Sequence, residues 1–145
     1  MIRTVLAAVD SSPRAPHVLA AAREVASRFG AVLHVYRAMY VPPDIPAGAP
    51  SGDDRGGALM QRRSDEGLRA LAGSRPGEVV EPVELTDEPP YRSILAAADR
   101  LDVDLIVIGS HGYGGMDRIL GTNAARVVNL GTRNVLVIHP RPGAS

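Results

Sequence analysis

The sequence predicts an α/β domain built on a single doubly wound, five-stranded parallel sheet with helices on both faces. Two observations carry that prediction. Short, solidly apolar runs such as Thr4-Val-Leu-Ala-Ala-Val9 and Asp104-Leu-Ile-Val-Ile108 are what strands buried on both faces look like. Between the strand-like runs lie stretches whose apolar residues return at helical spacing, so the order reads β-α-β-α-β-α-β-α-β. No internal repeat and no second composition regime interrupts the 145 residues, so 1–145 reads as one domain. A chain of that length buries roughly 68–70% of the surface its unfolded form exposes, and folds without staples.

The first strand, Thr4 to Val9, is closed by Asp10-Ser-Ser-Pro13, where Ser11 or Ser12 is placed to cap the next helix. From Arg14 to Phe29 the residues Val18, Leu19, Ala22, Val25, Ala26 and Phe29 form one apolar stripe, and Gly30 supplies the stop. Ala31 to Tyr36 is a second buried strand, in which His34 reads as a satisfied interior histidine. Pro42 to Gly57, dense in Pro, Gly and Asp, is expected to be a weakly ordered loop within the domain. Ala58 to Ala72 is a helix carried by Leu59, Met60, Leu68 and Leu71, with Gly67 as its weak point. Glu78-Val-Val-Glu-Pro-Val-Glu-Leu85 alternates apolar and acidic residues, which predicts a strand with one wet face, and Pro82 puts it at a sheet edge. Pro90 to Leu101 is a helix with Ile94, Leu95 and Ala98 inward. Asp104 to Ile108 is the most apolar strand, and a glycine-rich loop leads from it into a helix at Thr122 to Leu130 and a last strand at Asn134 to Ile138.

Composition removes several kinds of chemistry. There is no cysteine, hence no disulfide, iron–sulfur cluster, thiolate zinc site or thiol nucleophile. There is no lysine either, so a P-loop of the G-K-[ST] type and a Schiff-base lysine are excluded. His17, His34, His111 and His139 lack metal-binding spacing, so no metal site is expected among them. Sixteen basic and sixteen acidic residues cancel, and no basic run exceeds Arg62-Arg63, which argues against nucleic acid as a partner. The apolar runs are far shorter than the ~18 residues of a membrane span, and the opening Met-Ile-Arg-Thr-Val-Leu leads straight into a strand, so neither membrane nor signal peptide is expected and the expected location is the cytoplasm.

In a doubly wound sheet ligands bind beyond the carboxyl ends of the strands, where strand order reverses. Two loops placed to lie there are chemically distinctive: Asp10-Ser-Ser after the first strand, and Gly109 onward after the fourth. The segment from Ile108 to Val127 holds Gly109, Gly112, Gly114, Gly115 and Gly121, a concentration of backbone freedom that suits tight turns or a surface approached closely by a ligand.

The chain here resembles the universal stress protein family over nearly its whole length. The resemblance rests on V-L-A-A-V-D-S-S at the start, L-H-V in the second strand, D-L-I-V-I-G-S-H-G in the fourth, G-T before the last helix and N-V-L-V-I at the end. It implies the Rossmann-like fold of the adenine nucleotide alpha hydrolase type. The nucleotide-binding branch of that family has the pattern G-x2-G-x9-G-[ST]. Gly109 and Gly112 match the first pair and Gly121-Thr122 the last, with eight residues, Tyr113 to Leu120, between them instead of nine; Gly114-Gly115 let a shorter loop reach the same end points.

The resemblance implies ATP as ligand, with or without Mg2+. It places Ala8 near the base, Asp10 near the ribose and backbone groups of Val35 at the adenine edge, and Ile108, Gly109, Ser110, His111, Gly112, Gly121, Thr122 and Asn123 complete the implied nucleotide site. The chemistry is consistent with that assignment. A carboxylate accepts ribose hydroxyls in dinucleotide sites, and backbone N–H groups at Gly109 and Gly112 with the N-terminus of the last helix make an anion cradle that needs no lysine. The bland alternatives are an N-cap role for Asp10 and Thr122, a plain turn at Gly121, a loop residue in His111 and solvated helix faces for Arg118 and Arg126. Asp10 and Asp117 are the only carboxylates in the two loops and neither comes with a base, so the expected role is nucleotide-dependent regulation in a stress response rather than turnover, with slow hydrolysis at most. No S-G-G-x-D-[ST] loop follows the first strand, which leaves a pyrophosphatase-like relative without support. The alternative is a homodimeric interaction protein that binds no nucleotide. In both readings the resemblance implies pairing of two copies through the last strand, which has no lysine, internal proline or inward charge to blunt an open edge.

Overall fold

The computed structural model describes residues 1–43, 55–111 and 120–140. Their sheet has five parallel strands: β1 (Thr4–Ala8), β2 (Val32–Tyr36), β4 (Glu78–Val80), β6 (Leu105–Gly109) and β7 (Asn134–Ile138), with β3 (Ala38–Tyr40) and β5 (Glu84–Thr86) forming a small parallel pair beside it. The spatial order β4-β2-β1-β6-β7 starts in the middle and runs outward twice, once to each edge, so order reverses between β1 and β6. The helices are α1 (Ala15–Phe29), α2 (Arg55–Ala72), α3 (Pro90–Arg100) and α4 (Thr122–Leu130).

Alternation along the strands divides the core in two. Val5, Ala7, Leu33, Val35, Leu105 and Val107 face α1 and α2; Leu6, Ala8, Ile106 and Ile108 face α3 and α4. Each strand of the centre therefore has both faces covered, which is why β1 and β6 need apolar residues at consecutive positions. Among the described residues no helix is long and apolar enough to cross a membrane.

Several local expectations change. Helix α1 begins at Ala15 with Arg14 as its N-cap and no side-chain cap; Ser12 instead accepts the Arg14 N–H at its hydroxyl, 3.2 Å away, two residues too early to cap. Gly30 does end the helix, at φ 63°, where a side chain would be strained. Phe29, expected inward, is exposed at the end of α1, as is Leu59 on α2. Helix α2 starts at Arg55 instead of Ala58, so the C-terminal end of the expected 42–57 loop is helical, while residues 44–54 lie outside the described part.

The expected strand from Glu78 to Leu85 is two strands, and Pro82 between them is the reason. Lacking an N–H, it interrupts the ladder. The backbone of buried Val83 turns to α2, donating its N–H to Asp65 Oδ1 at 2.8 Å and accepting from Gln61 Nε2 at 2.6 Å. The ladder resumes where Glu84 N–H reaches the Arg37 carbonyl at 3.0 Å, and β5 then pairs with β3, a strand too short to show a period in the sequence. The edge position holds, since β4 closes one side of the main sheet.

Candidate functional site

A cleft opens at the carboxyl ends of β1 and β6, where the strand order reverses, and the N-terminal ends of α3 and α4 face it. Its volume of about 160 Å³ is far above the ~10–15 Å³ that one water needs, so it has room for more than a single solvent molecule.

Asp10 leaves β1 on the exposed side, and its Oδ1 accepts the Ser12 N–H at 2.9 Å, which fixes the carboxylate at the head of the turn. The turn is also held from β2. The buried Arg37 guanidinium donates through Nε to the Val9 carbonyl (3.2 Å) and through Nη2 to the Asp10 carbonyl (2.6 Å). On the other side of the reversal, Gly109 ends β6 so close to α1 that a Cβ there would sit 3.0 Å from Val18 Cγ2. Ser110 N–H donates to the Ile138 carbonyl at 2.8 Å and its own carbonyl accepts Gly121 N–H at 2.6 Å. Gly121 is the N-cap of α4 and supplies no side chain, so the first N–H groups of that helix face the cleft without a side-chain cap. Thr122, read as a capping candidate, is the first helical residue and does not cap; Asn123 accepts the Tyr91 N–H at Oδ1 (3.0 Å) and ties α4 to α3.

The polar atoms of the cleft are the informative part. Among the described residues, Arg14 Nη1, Ser110 Oγ and His111 Nε2 are buried side-chain polar atoms without a hydrogen-bond partner, and all three residues line this cleft; Tyr36 Oη, also in the lining, has the Glu84 and Ser93 side chains beside it. Buried polar atoms are nearly always paired, and leaving one unpaired costs about 1–3 kcal/mol. Three in one cleft give it polar groups with bonds still to make. Tyr36 stays a donor because burial, and then the negative charge of Glu84, push its phenol well above the ordinary range. Tyr36 packs with Ala38, Ile94 and Ile108 as an apolar part of the lining, and Asp10, Ser12, Arg14, Ser110, His111, Thr122 and Asn123 supply its polar residues.

Of the residues singled out in the sequence, Ala8, Asp10, Ile108, Gly109, Ser110, His111, Gly121, Thr122 and Asn123 line this one cleft. Gly112 and Arg118 lie outside the described residues. Val35 is fully buried in the middle of β2, packs in the core and gives its carbonyl to Glu81 N–H (2.9 Å); its neighbours Tyr36 and Ala38 reach the cleft instead. His34 is the satisfied histidine expected, its Nδ1 2.8 Å from Glu81 Oε1. Arg126 stacks its guanidinium 6.0 Å from the Tyr91 ring centroid. Arg14, Tyr36, Pro90 and Ile94 went unmarked in the sequence; a tyrosine closing an otherwise apolar strand was the signal for one of them.

A doubly wound parallel sheet with a cleft at its reversal point is the architecture in which ligands are bound at the switch point. The family follows from comparison with known proteins. The model of the Universal stress protein family matches residues 1–139. Universal stress protein A homolog 1 of Coxiella burnetii is 30% identical over 141 residues, spanning 92% of this chain and 94% of that protein. The chain belongs to the universal stress protein family. Among solved structures, universal stress protein UspA from Lactobacillus plantarum shares the fold with a TM-score of 0.71 at 24% identity over 95% of this chain and 98% of that one. Two more share it at lower similarity: the universal stress protein from Archaeoglobus fulgidus in complex with dAMP (TM-score 0.57, 23% identity, 95% and 99% covered), and a universal stress protein in complex with cAMP (0.59, 22%, 95% and 97%).

Proposed function

We propose that this chain binds an adenine nucleotide, ATP in the first instance, in the cleft between β1 and β6, and serves as a nucleotide-dependent regulatory module of a stress response. The observation that carries the proposal is the set of three unpartnered buried polar atoms, Arg14 Nη1, Ser110 Oγ and His111 Nε2, in a cleft lined by both apolar and polar residues. A base suits the apolar part, a ribose suits the exposed Asp10 carboxylate, and phosphate suits the free N–H groups of α4 with Ser110 and His111. Family members solved with dAMP and cAMP support the same ligand class. Among the described residues no group of three or more His, Asp or Glu is arranged to hold a metal ion, so Mg2+ enters this reading as a passenger on the phosphates.

Thermal melting with and without AMP, ATP and Mg-ATP tests the proposal. A ligand at 100 times its dissociation constant adds about 2.7 kcal/mol to the native state, and each kcal/mol is worth about 2–4 °C in a domain of this size. Absence of any shift with millimolar adenine nucleotide overturns it.

A second reading, a homodimeric interaction protein with no nucleotide, would use the open edge of the sheet. Strand β7 ends the sheet, and its residues Val135 to Ile138 are only half-buried. Pairing of two copies through this edge is compatible with both readings.

A further inference from the structure

In the sequence the phosphate end of the cleft consists of glycines and a helix N-terminus, with Arg118 and Arg126 as the flanking cations. The structure adds Arg14 to the lining of the cleft. Arg14 is the N-cap of α1, yet its side chain makes no capping hydrogen bond, so the guanidinium takes no part in starting the helix. Its Nη1 is buried and unpartnered, and the residue lines the cleft. Its place follows from helix geometry. Val18 lies four residues on, one turn along the same face; its N–H donates to the Arg14 carbonyl at 3.2 Å, and its Cγ2 is the atom that Gly109 accommodates. Arg14 therefore stands over the exit of β6, where Ser110 and His111, each at least nine-tenths buried, present two more unpartnered atoms.

We infer that Arg14 is a specificity-determining residue by which this cleft recognises the phosphate of its ligand and separates a nucleotide from the corresponding nucleoside. The inference rests on the nucleotide reading above. Backbone N–H groups and a helix dipole attract an anion but carry no net charge. A guanidinium is a fixed cation, and its N–H bonds to phosphate oxygen are charge-assisted. No carboxylate neutralises Arg14 among the described residues; Asp10, the acidic residue of the cleft, has one oxygen on the Ser12 N–H. An incoming phosphate supplies both the missing acceptor and the missing countercharge. The unpartnered Ser110 Oγ and His111 Nε2 line the same cleft, and the hydroxyl, with Nε2 where it carries the ring proton, can donate to the same group.

Isothermal titration of wild type, Arg14→Gln and Arg14→Lys with AMP and with adenosine separates charge recognition from base and sugar recognition. Arg14→Gln is expected to weaken AMP about tenfold to a hundredfold, the range for one hydrogen bond to a charged group, and to change adenosine less than twofold. Arg14→Lys, which keeps the charge and loses the planar fork, is expected to fall between. Since no cap bond is lost and an unpaired buried donor is removed, ligand-free Arg14→Gln should melt no lower than wild type. Equal losses for AMP and adenosine, or unchanged AMP affinity, overturn the inference. A third probe, inorganic pyrophosphate, tells its failure from that of the nucleotide reading. Wild type stabilised by pyrophosphate through Arg14, but by neither AMP nor adenosine, keeps the anion site and ends the nucleotide reading; wild type indifferent to all three ends both.

Discussion

The backbone N–H of Gly121 donates to the carbonyl of Ser110 across 2.6 Å, joining the residue that caps α4 to the residue that leaves β6. That one bond brings the two ends of the glycine-rich connection together at the mouth of the cleft. It leaves no room for a side chain. A Cβ on Gly121 would stand 3.1 Å from the same carbonyl oxygen, whereas its φ of −59° and ψ of 157° suit any residue, so the demand for glycine is one of space.

Gly121→Val should therefore push the start of α4 away from Ser110 and lower adenine-nucleotide affinity by at least about tenfold, the loss of one to two kcal/mol that a broken buried hydrogen bond brings. The far-UV circular dichroism spectrum should stay near wild type, because the substitution lies outside the sheet. Titration calorimetry is the measurement, and affinity equal to wild type would remove this closure from the binding mechanism.

Gly131 is a tighter case, and it concerns stability. A Cβ there would lie 2.7 Å from the Val127 carbonyl oxygen and 3.0 Å from Leu95 Cδ2, the first a backbone atom that cannot step aside. Gly131→Ala should cost about 1–3 kcal/mol, the usual range for overpacking, read as an earlier midpoint in urea with the slope unchanged. The ligand site should not feel it. A midpoint within error of wild type would mean that the end of α4 yields more easily than its contacts imply.

The parallel sheet and its reversal point were legible because burial on both faces forces consecutive apolar residues into β1 and β6, and that is a pattern a sequence displays. The short pair β3 and β5 was not. Three residues hold no period, and the break that creates β5 depends on Pro82 removing a ladder donor just where Asp65 and Gln61 of α2 are placed to take over the Val83 backbone. The two loops of the site could be named from their unusual residues. Arg14 and Tyr36 could not, because each belongs by type to an ordinary helix start and an ordinary strand end, and only the packing of α1 on Gly109 and of α3 beside Tyr36 turns their polar atoms into the cleft.

Asp104 sets a pH dependence at the opposite end of the strands. Its Oδ2 accepts the backbone N–H groups of Arg3 (2.8 Å) and Thr4 (3.0 Å), and these two bonds hold the carboxyl below its ordinary range. A carboxyl whose pKa is lowered in the folded state stabilises that state fully above its unfolded value of about 3.9, and the contribution is lost as pH falls through the lower folded value. Asp104→Asn should lower the melting temperature at pH 7, and the gap to wild type should narrow as pH drops below about 4. Melting both proteins from pH 7 to pH 2.5 checks this; a gap that stays constant assigns the stabilisation to something other than charge.

The last prediction concerns the free edge of β7. Ile138 gives its carbonyl to Ser110 N–H on the β6 side, and in an extended strand the N–H and C=O of one residue point the same way while the next residue's point oppositely. Asn134, Leu136 and Ile138 are thus the residues bonded into the sheet, and Val135 and Val137 direct their backbone groups outward. An edge with two outward valine units and no lysine or proline to blunt it is suited to pair with a second copy about a two-fold axis. Proline at 137 removes an outward N–H and adds a ring on the open side, whereas proline at 136 strikes the bond to β6. Val137→Pro should convert a wild-type dimer to monomer with little change in the melting temperature of the monomer unit, and Leu136→Pro should lose stability by about 3 kcal/mol or more whatever the assembly. Sedimentation velocity at micromolar concentration reads the first outcome and urea unfolding the second. Wild type that sediments as a monomer at every concentration, or Val137→Pro that remains a dimer, excludes β7 as the pairing edge.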